Sequence, residues 1–241
     1  MIEVDGLRKR YGARTAVDGI SFTVPAGGIT GLVGPNGAGK STTIRSLCGI
    51  VRPSGGTVRV AGFDVARTPV EAKRRLGYVP DEPMLFDELT VGEHLEFTAR
   101  AWQVADAGTR GPALLAELGL ADRARAFPTE LSRGMKQKLA IACALLHQPS
   151  ALVLDEPLTG LDPRAMAQMR ETIRRQAAEG TAVLLSSHLL PLVEQLCSHV
   201  VVLQAGRIVA QGTLAALQAD AAAAGDPSLE AYVLRVTADP A

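Results

Sequence analysis

The fold of this chain is decided by a stretch near its N-terminus, Gly34-Pro35-Asn36-Gly37-Ala38-Gly39-Lys40-Ser41-Thr42. The stretch has the spacing G-x-x-x-x-G-K-[ST], and it lies between an apolar strand-like run, 29–33, and a helical pattern, 42–48. Glycines let successive backbone N–H groups point inward around phosphate oxygens, and the helix N-terminus adds partial positive charge. The pattern predicts a phosphate-binding loop; the alternative is a glycine-rich turn without a ligand.

Two side chains of this loop and two carboxylates fit the chemistry of a nucleotide site. Lys40 supplies a positive charge for the β- and γ-phosphates, and the Ser41 hydroxyl is a ligand for Mg²⁺. Asp155 and Glu156 follow the apolar run 151–154, at the carboxyl end of a strand, where open α/β sheets bind ligands. We expect Asp155 to hold Mg²⁺ and Glu156 to orient or deprotonate the attacking water. The alternative is a strand that ends in two solvated acids.

The remaining sequence pattern predicts an α/β fold. In the last third, continuous apolar strands alternate with helical segments such as 163–178, which indicates a parallel sheet covered on both faces.

The 241 residues include 25 Lys+Arg and 25 Asp+Glu, a balance that argues against binding nucleic acid by bulk charge. The longest apolar run, 139–146, is shorter than the roughly 18 residues of a membrane span, and we expect no signal peptide.

A third segment, Leu131-Ser132-Arg133-Gly134-Met135-Lys136-Gln137, opens an amphipathic helix. Ser132 can cap this helix, and Gly134 permits another group to approach the backbone closely. A helix N-terminus with a free hydroxyl is a second potential phosphate site. Physical chemistry alone favours the simpler interpretation, an ordinary capped helix.

Taken in order, these segments resemble the nucleotide-binding subunits of ABC transporters over residues 2–234. Tyr11 matches the aromatic residue that stacks on adenine, the run 158–162 resembles the D-loop, and His188 resembles the histidine that contacts the γ-phosphate. The resemblance implies an ATPase that binds ATP and Mg²⁺, with Glu156 and His188 as catalytic residues. The residues implied to bind the nucleotide in the phosphate loop are Gly34, Pro35, Asn36, Gly37, Ala38, Gly39, Lys40, Ser41 and Thr42.

The resemblance also implies an architecture. We expect a P-loop NTPase core of the RecA-like type with a parallel sheet, an N-terminal antiparallel β-subdomain, and an inserted α-helical subdomain at about 82–148. The ATP-binding domain would span 1–218, followed by a short C-terminal tail, 219–241.

In this family two subunits associate head to tail, and each ATP lies between the phosphate loop of one and the signature helix of the other. The resemblance therefore implies that Ser132, Gly134 and Asp162 contribute to the site of a second copy or a homologous subunit. We expect the transmembrane permease to be a separate chain. This chain would then be cytoplasmic and peripheral on the inner face of the cell membrane, without a nucleic-acid partner.

Three residues depart from the family pattern. Asp81 stands where the family usually has a glutamine that touches Mg²⁺, and we expect the aspartate to keep a metal role because Mg²⁺ accepts carboxylate oxygen. Arg133 replaces a glycine and Met135 replaces a glutamine in the signature segment. Together with the segments 80–83 and 229–234, this form most resembles the subunits of ABC-2 type exporters.

Two other functions fit parts of the sequence. One is a soluble ATPase of the same superfamily that acts on the ribosome or on nucleic acid, although zero net charge and the single ATP-binding domain argue against it. The other is a regulatory module that binds nucleotide without turnover, against which Lys40, Asp155 and Glu156 argue. No residue identifies a transported substrate.

Overall fold

The computed structural model describes residues 1–238 and contains two β-sheets. The described strands are β1 (Ile2–Tyr11), β2 (Arg14–Val24), β3 (Ile29–Val33), β4 (Gly55–Val60), β5 (Phe63–Asp64), β6 (Leu76–Val79), β7 (Ala151–Asp155), β8 (Ala182–Ser186), β9 (His199–Gln204) and β10 (Arg207–Thr213). The N-terminal sheet has the order β2-β1-β4-β5 and its pairs are antiparallel, which confirms the predicted β-subdomain.

The second sheet positions the functional residues. Its order is β10-β9-β3-β8-β7-β6, and its strands are parallel except that β10 runs antiparallel to β9. The carboxyl ends of β3, β8, β7 and β6 are therefore neighbours at one edge. The segments that follow these four strands meet there, although they are far apart in the sequence.

Helices cover this sheet. The described helices are α1 (Lys40–Leu47), α2 (Pro69–Arg74), α3 (Val91–Trp102), α4 (Ala107–Glu117), α5 (Arg133–Leu146), α6 (Pro163–Ala178), α7 (Leu190–Leu196), α8 (Leu214–Ala223) and α9 (Leu229–Ala238). None of the helices within residues 1–238 combines the length and the apolar character needed to cross a membrane.

Two hydrophobic cores lie on opposite faces of the parallel sheet. Val153 of β7 packs with the N-terminal sheet and α1, whereas its neighbours Leu152 and Leu154 pack with the helices on the other face. All five residues of β3 are buried. The continuous apolar strands are thus covered on both faces, as the sequence predicts.

The helices α3, α4 and α5 form the inserted subdomain between β6 and β7. A capping box starts α3: the Glu93 N–H donates to Thr90 Oγ1 at 3.3 Å, and the Thr90 N–H donates to Glu93 Oε2 at 2.7 Å. Each helix buries its apolar side, which includes Leu95 of α3, Leu115 of α4 and Leu139 of α5. This arrangement fits the predicted helical subdomain at about 82–148.

The C-terminal segment packs on the core. The predicted boundary at residue 218 falls inside α8, and α9 buries Leu229 and Val233. The Leu229 N–H donates to Glu194 Oε1 at 2.6 Å, and Gln204 Nε2 donates to the Thr237 carbonyl at 2.8 Å. Residues 219–238 therefore belong to the packed domain, and the last three residues of the predicted tail, 239–241, lie outside the described range.

Candidate nucleotide site

A cavity of about 510 Å³ opens at the edge where the parallel strands end. Most of the residues proposed from the sequence come together there. The cavity is lined by Tyr11, Arg14, Ala16, Asn36, Gly37, Ala38, Gly39, Lys40, Ser41, Thr42, Asp81, Asp155, Glu156, Thr159 and His188.

The phosphate loop joins β3 to α1 and forms one wall of the cavity. Gly39 caps α1 with φ of 107°, a left-handed conformation that favours glycine. Lys40 Nζ folds back over the loop and donates to the carbonyls of Gly34 at 2.6 Å and Pro35 at 3.1 Å. Burial lowers the pKa of the Lys40 ammonium, and the nearby carboxylates of Glu156 and Asp155 oppose that shift. The loop thus holds a partly dehydrated cation beside its backbone N–H groups, which suits phosphate.

Ser186 fixes the two carboxylates that follow β7. Ser186 ends β8 directly opposite Asp155, and its hydroxyl donates to Asp155 Oδ1. The Glu156 N–H donates to both the carbonyl and the Oγ of Ser186, each at 3.2 Å. These bonds hold Glu156 at φ of 50°, a left-handed conformation that is strained for a residue with a side chain. Ser186 is not recognisable from the sequence, because the pairing of β7 with β8 is needed to reveal it.

The Glu156 side chain is held from the loop after β8. His188 Nδ1 lies 2.9 Å from Glu156 Oε2, and Ser187 Oγ lies 3.4 Å from the same oxygen. The Glu156 side chain is 15% exposed and the His188 side chain is 59% exposed. The Glu156 carboxylate is therefore oriented by the loop after β8, while the His188 imidazole faces the open cavity. This arrangement is suited to holding a water next to a bound phosphate.

The two strands of the first hairpin contribute the opposite wall. Tyr11 is 47% exposed, and Lys9 Nζ lies 4.8 Å from the centroid of its ring. The ring is available to stack on a planar base. Arg14 also lines the cavity. It was not singled out from the sequence, although it lies three residues after Tyr11 at the start of the paired strand.

Asp81 follows β6 and reaches the same cavity. Its Oδ1 accepts a hydrogen bond from Arg133 Nη2 at 3.0 Å. Two of the three residues that depart from the family pattern are thus in contact.

Ser132, Gly134 and Asp162 do not line this cavity. Ser132 Oγ accepts from the Met135 N–H at 3.3 Å and caps α5, and Asp162 Oδ1 accepts from the Ala165 N–H at 2.8 Å and caps α6. A Cβ on Gly134 would lie 3.0 Å from Leu161 Cδ2, so glycine keeps the two helix starts close together. Any role of these residues toward a nucleotide requires a second subunit.

The oxygen donors in the cavity fit Mg²⁺ bound together with phosphates. Within residues 1–238, no three His, Cys, Asp or Glu side chains converge in a way that could enclose a metal ion. Mg²⁺ is usually held by one or two carboxylates together with substrate phosphates. The Ser41 hydroxyl and the Asp155 carboxylate lie in the same cavity and supply such a partial donor set.

Comparisons with known proteins agree with this geometry. Residues 17–159 match the model of the ABC transporter family. The Nod factor export ATP-binding protein I of Paraburkholderia xenovorans is 42% identical over 218 residues, which are 90% of this chain and 72% of that protein. The ABC-type transporter ATP-binding protein EcsA of Bacillus subtilis is 38% identical over 90% of this chain and 89% of its own length.

A solved structure described as the ATP-binding subunit of an ABC transporter superposes with a TM-score of 0.92. It is 37% identical and covers 98% of this chain and 99% of its own. The fold is therefore shared over nearly the whole chain. The chain belongs to the ABC transporter family, as an ATP-binding subunit that carries the ATPase domain.

Proposed function

We propose that this chain powers an exporter by hydrolysing Mg-ATP at the cavity described above, in a head-to-tail dimer docked on a separate membrane permease. The observation that carries the proposal is the Glu156 carboxylate, held by His188 at the mouth of a cavity whose wall is the phosphate loop. The names of the relatives support the export direction, since one belongs to Nod factor export and others to daunorubicin resistance. None of these names fixes the substrate of this chain.

The residues of the cavity have separate tasks in hydrolysis. The backbone N–H groups of the loop residues that line the cavity, 36–39, and the Lys40 side chain bind the phosphates and stabilise the negative charge that develops on them. Glu156 accepts a proton from the attacking water, and His188 orients the carboxylate and faces the terminal phosphate. Ser41, Asp81 and Asp155, which line the same cavity, would hold Mg²⁺, and the ion would neutralise phosphate charge.

The capped starts of α5 and α6 support the dimer. Ser132 and Gly134 lie at the N-terminus of α5 and Asp162 at that of α6, and helix N-termini favour anions. A two-fold dimer would bring them onto the phosphates bound by the partner. ATP would then join the two subunits, so closure would depend on the nucleotide.

An exposed apolar patch between the sheet edge and the helical subdomain supports a membrane partner. Met84 is 91% exposed, and Phe86, Phe97 and Ile50 are each more than half exposed. The rings of Phe86 and Phe97 pack edge to face with centroids 5.2 Å apart, and all four residues border the same groove. Contiguous apolar surface of this kind marks a binding site for a protein partner. We assign it to a short apolar helix of the permease.

One purification tests the whole proposal. A tagged Glu156→Gln protein is purified with Mg-ATP from detergent-solubilised membranes, and the proteins that accompany it are identified. Recovery of a stoichiometric protein with several membrane spans supports the transporter function and names the permease. Ribosomal proteins or nucleic acid without a membrane protein would instead support the soluble ATPase.

The matched control carries Met84→Glu and Phe86→Glu in the same Glu156→Gln background. This protein should lose the membrane partner and still form ATP-dependent dimers, because the patch is separate from the cavity. Retention of the permease by this variant would contradict the assigned docking surface.

A further inference from the structure

Arg133 and Asp81, which both depart from the family pattern, form an ion pair across 52 residues of sequence. Arg133 is the first residue of α5, and its Nη2 donates to Asp81 Oδ1 at 3.0 Å. The glycine that the family usually has at position 133 could not make this contact. The glutamine that the family usually has at position 81 would carry no charge for an arginine to neutralise. The two departures are therefore complementary.

The stem of Arg133 is held against a third segment. A Cβ on Gly160 would lie 3.1 Å from Arg133 Cδ and 3.4 Å from its Nε. The aliphatic part of the Arg133 side chain therefore packs directly on the backbone of this glycine. The guanidinium contacts Asp81, and the Arg133 side chain as a whole is 52% exposed. One side chain connects the segment after β6, the start of α5 and the loop before α6.

The charges around the cavity give this pair a function. Among the lining residues, the carboxylates outnumber the fixed cations, which disfavours a polyphosphate. Arg133 does not line the cavity, and it adds a cation beside the Asp81 carboxylate, whose side chain is 47% exposed. The carboxylates are Asp81, Asp155 and Glu156, and the fixed cations are Arg14 and Lys40.

We infer that Arg133 is a positioning residue for the nucleotide site: it holds the Asp81 carboxylate in place and neutralises its charge, so that ATP binds without repulsion. The inference rests on the proposed function, which makes the cavity an ATP site. Both side chains are about half exposed, at 52% and 47%, so the pair contributes little to the stability of the fold. Its effect should therefore appear in nucleotide affinity.

A double-mutant cycle tests the inference on four proteins: wild type, Asp81→Asn, Arg133→Met and the double variant. Methionine keeps an unbranched stem and removes the charge. Calorimetry measures the Kd for ATP with Mg²⁺ and, separately, in EDTA, where a ligand role of Asp81 toward the metal makes no contribution. In EDTA we expect Arg133→Met to weaken ATP binding by about threefold to tenfold, which is the size of the effect of one partly screened charge near a bound anion. The double variant should return to within about twofold of wild type.

Two further variants make the result specific. Arg133→Lys should recover much of the affinity because it restores the charge. Arg100→Met removes an arginine from an exposed ion pair with Glu96, 3.5 Å long, on α3 and away from the cavity, and it should leave ATP affinity unchanged. Circular dichroism confirms that each variant is folded.

The inference is wrong if Arg133→Met leaves the Kd unchanged, or if it weakens binding equally in the Asp81→Asn background. If the wild-type protein binds ATP, either of these results for the variants would leave the proposed function intact. A wild-type protein that bound no ATP would overturn the proposed function together with the inference.

Discussion

His188 Nδ1 lies 2.9 Å from Glu156 Oε2, and this contact joins the segments that follow two neighbouring strands. The Glu156 backbone is also tied to β8 through Ser186. Both the position of the Glu156 carboxylate and its rotamer are thus set by β8 and the loop that follows it. Catalytic efficiency should depend on the neighbouring loop as well as on Glu156.

Substitutions at this contact should separate hydrolysis from binding. Glu156→Gln removes the general base and should lower kcat by about 10²–10⁴-fold with little change in the Kd for ATP. His188→Ala removes a group that orients the base and should lower kcat by about 10–100-fold. Steady-state phosphate release and equilibrium ATP binding measure the two effects. A Glu156→Gln protein that hydrolysed ATP at the wild-type rate would exclude Glu156 as the base.

Gly34 and Gly37 should respond differently to alanine, although both belong to the phosphate loop. A Cβ on Gly34 would lie 2.2 Å from the Leu203 carbonyl oxygen, so Gly34→Ala should displace the loop from β9 and lower the free energy of unfolding by several kcal/mol. A Cβ on Gly37 meets nothing within 4 Å. Gly37→Ala should cost only about 1–2 kcal/mol, from its φ of 80°. Denaturant unfolding compares them, and equal losses would contradict the close approach of the loop to β9.

Strong local patterns allowed much of the fold to be predicted. The helix 163–178 and the strand 29–33 have the predicted bounds, because Pro163 starts the helix and five consecutive apolar or small residues form the strand. Short or half-exposed strands were missed. β6 has four residues, and no residue of β10 is buried, so neither has a distinctive pattern.

The candidate site could be predicted only in part, for a different reason. The phosphate loop and the pair Asp155-Glu156 are contiguous in sequence and have a recognisable spacing. Ser186 and the contact of Arg133 with Asp81 depend on strand pairing and on packing between distant segments. A side chain whose function is to hold another side chain has no pattern of its own in one sequence.

The cysteine thiols should be nearly inert in the folded protein. Burial raises the pKa of Cys143 to about 11 and that of Cys197 to about 12, and alkylation requires the thiolate. At pH 8, iodoacetamide should label Cys143 about 100-fold more slowly in the native protein than in urea, as followed by mass spectrometry. Because the unfolded thiols ionise first, their contribution to the free energy of unfolding should decrease as pH rises above about 9. Equal labelling in both states would contradict the partial burial of Cys143 and the burial of Cys197.

The helix caps at Ser132 and Asp162 allow a structural role to be separated from a role in the dimer. Each side chain caps its helix, so Ser132→Ala and Asp162→Ala should each lower the free energy of unfolding by about 1 kcal/mol. Thr213 caps α8 in the same way, through the Ala216 N–H at 3.2 Å, and is absent from the cavity lining. Thr213→Ala should therefore cost about the same stability. If the first two residues contact the nucleotide of a partner, only their variants should weaken ATP-dependent dimerisation of the Glu156→Gln protein in analytical ultracentrifugation. Dimerisation weakened equally by all three would show that lost stability, and not a contact in trans, is the cause.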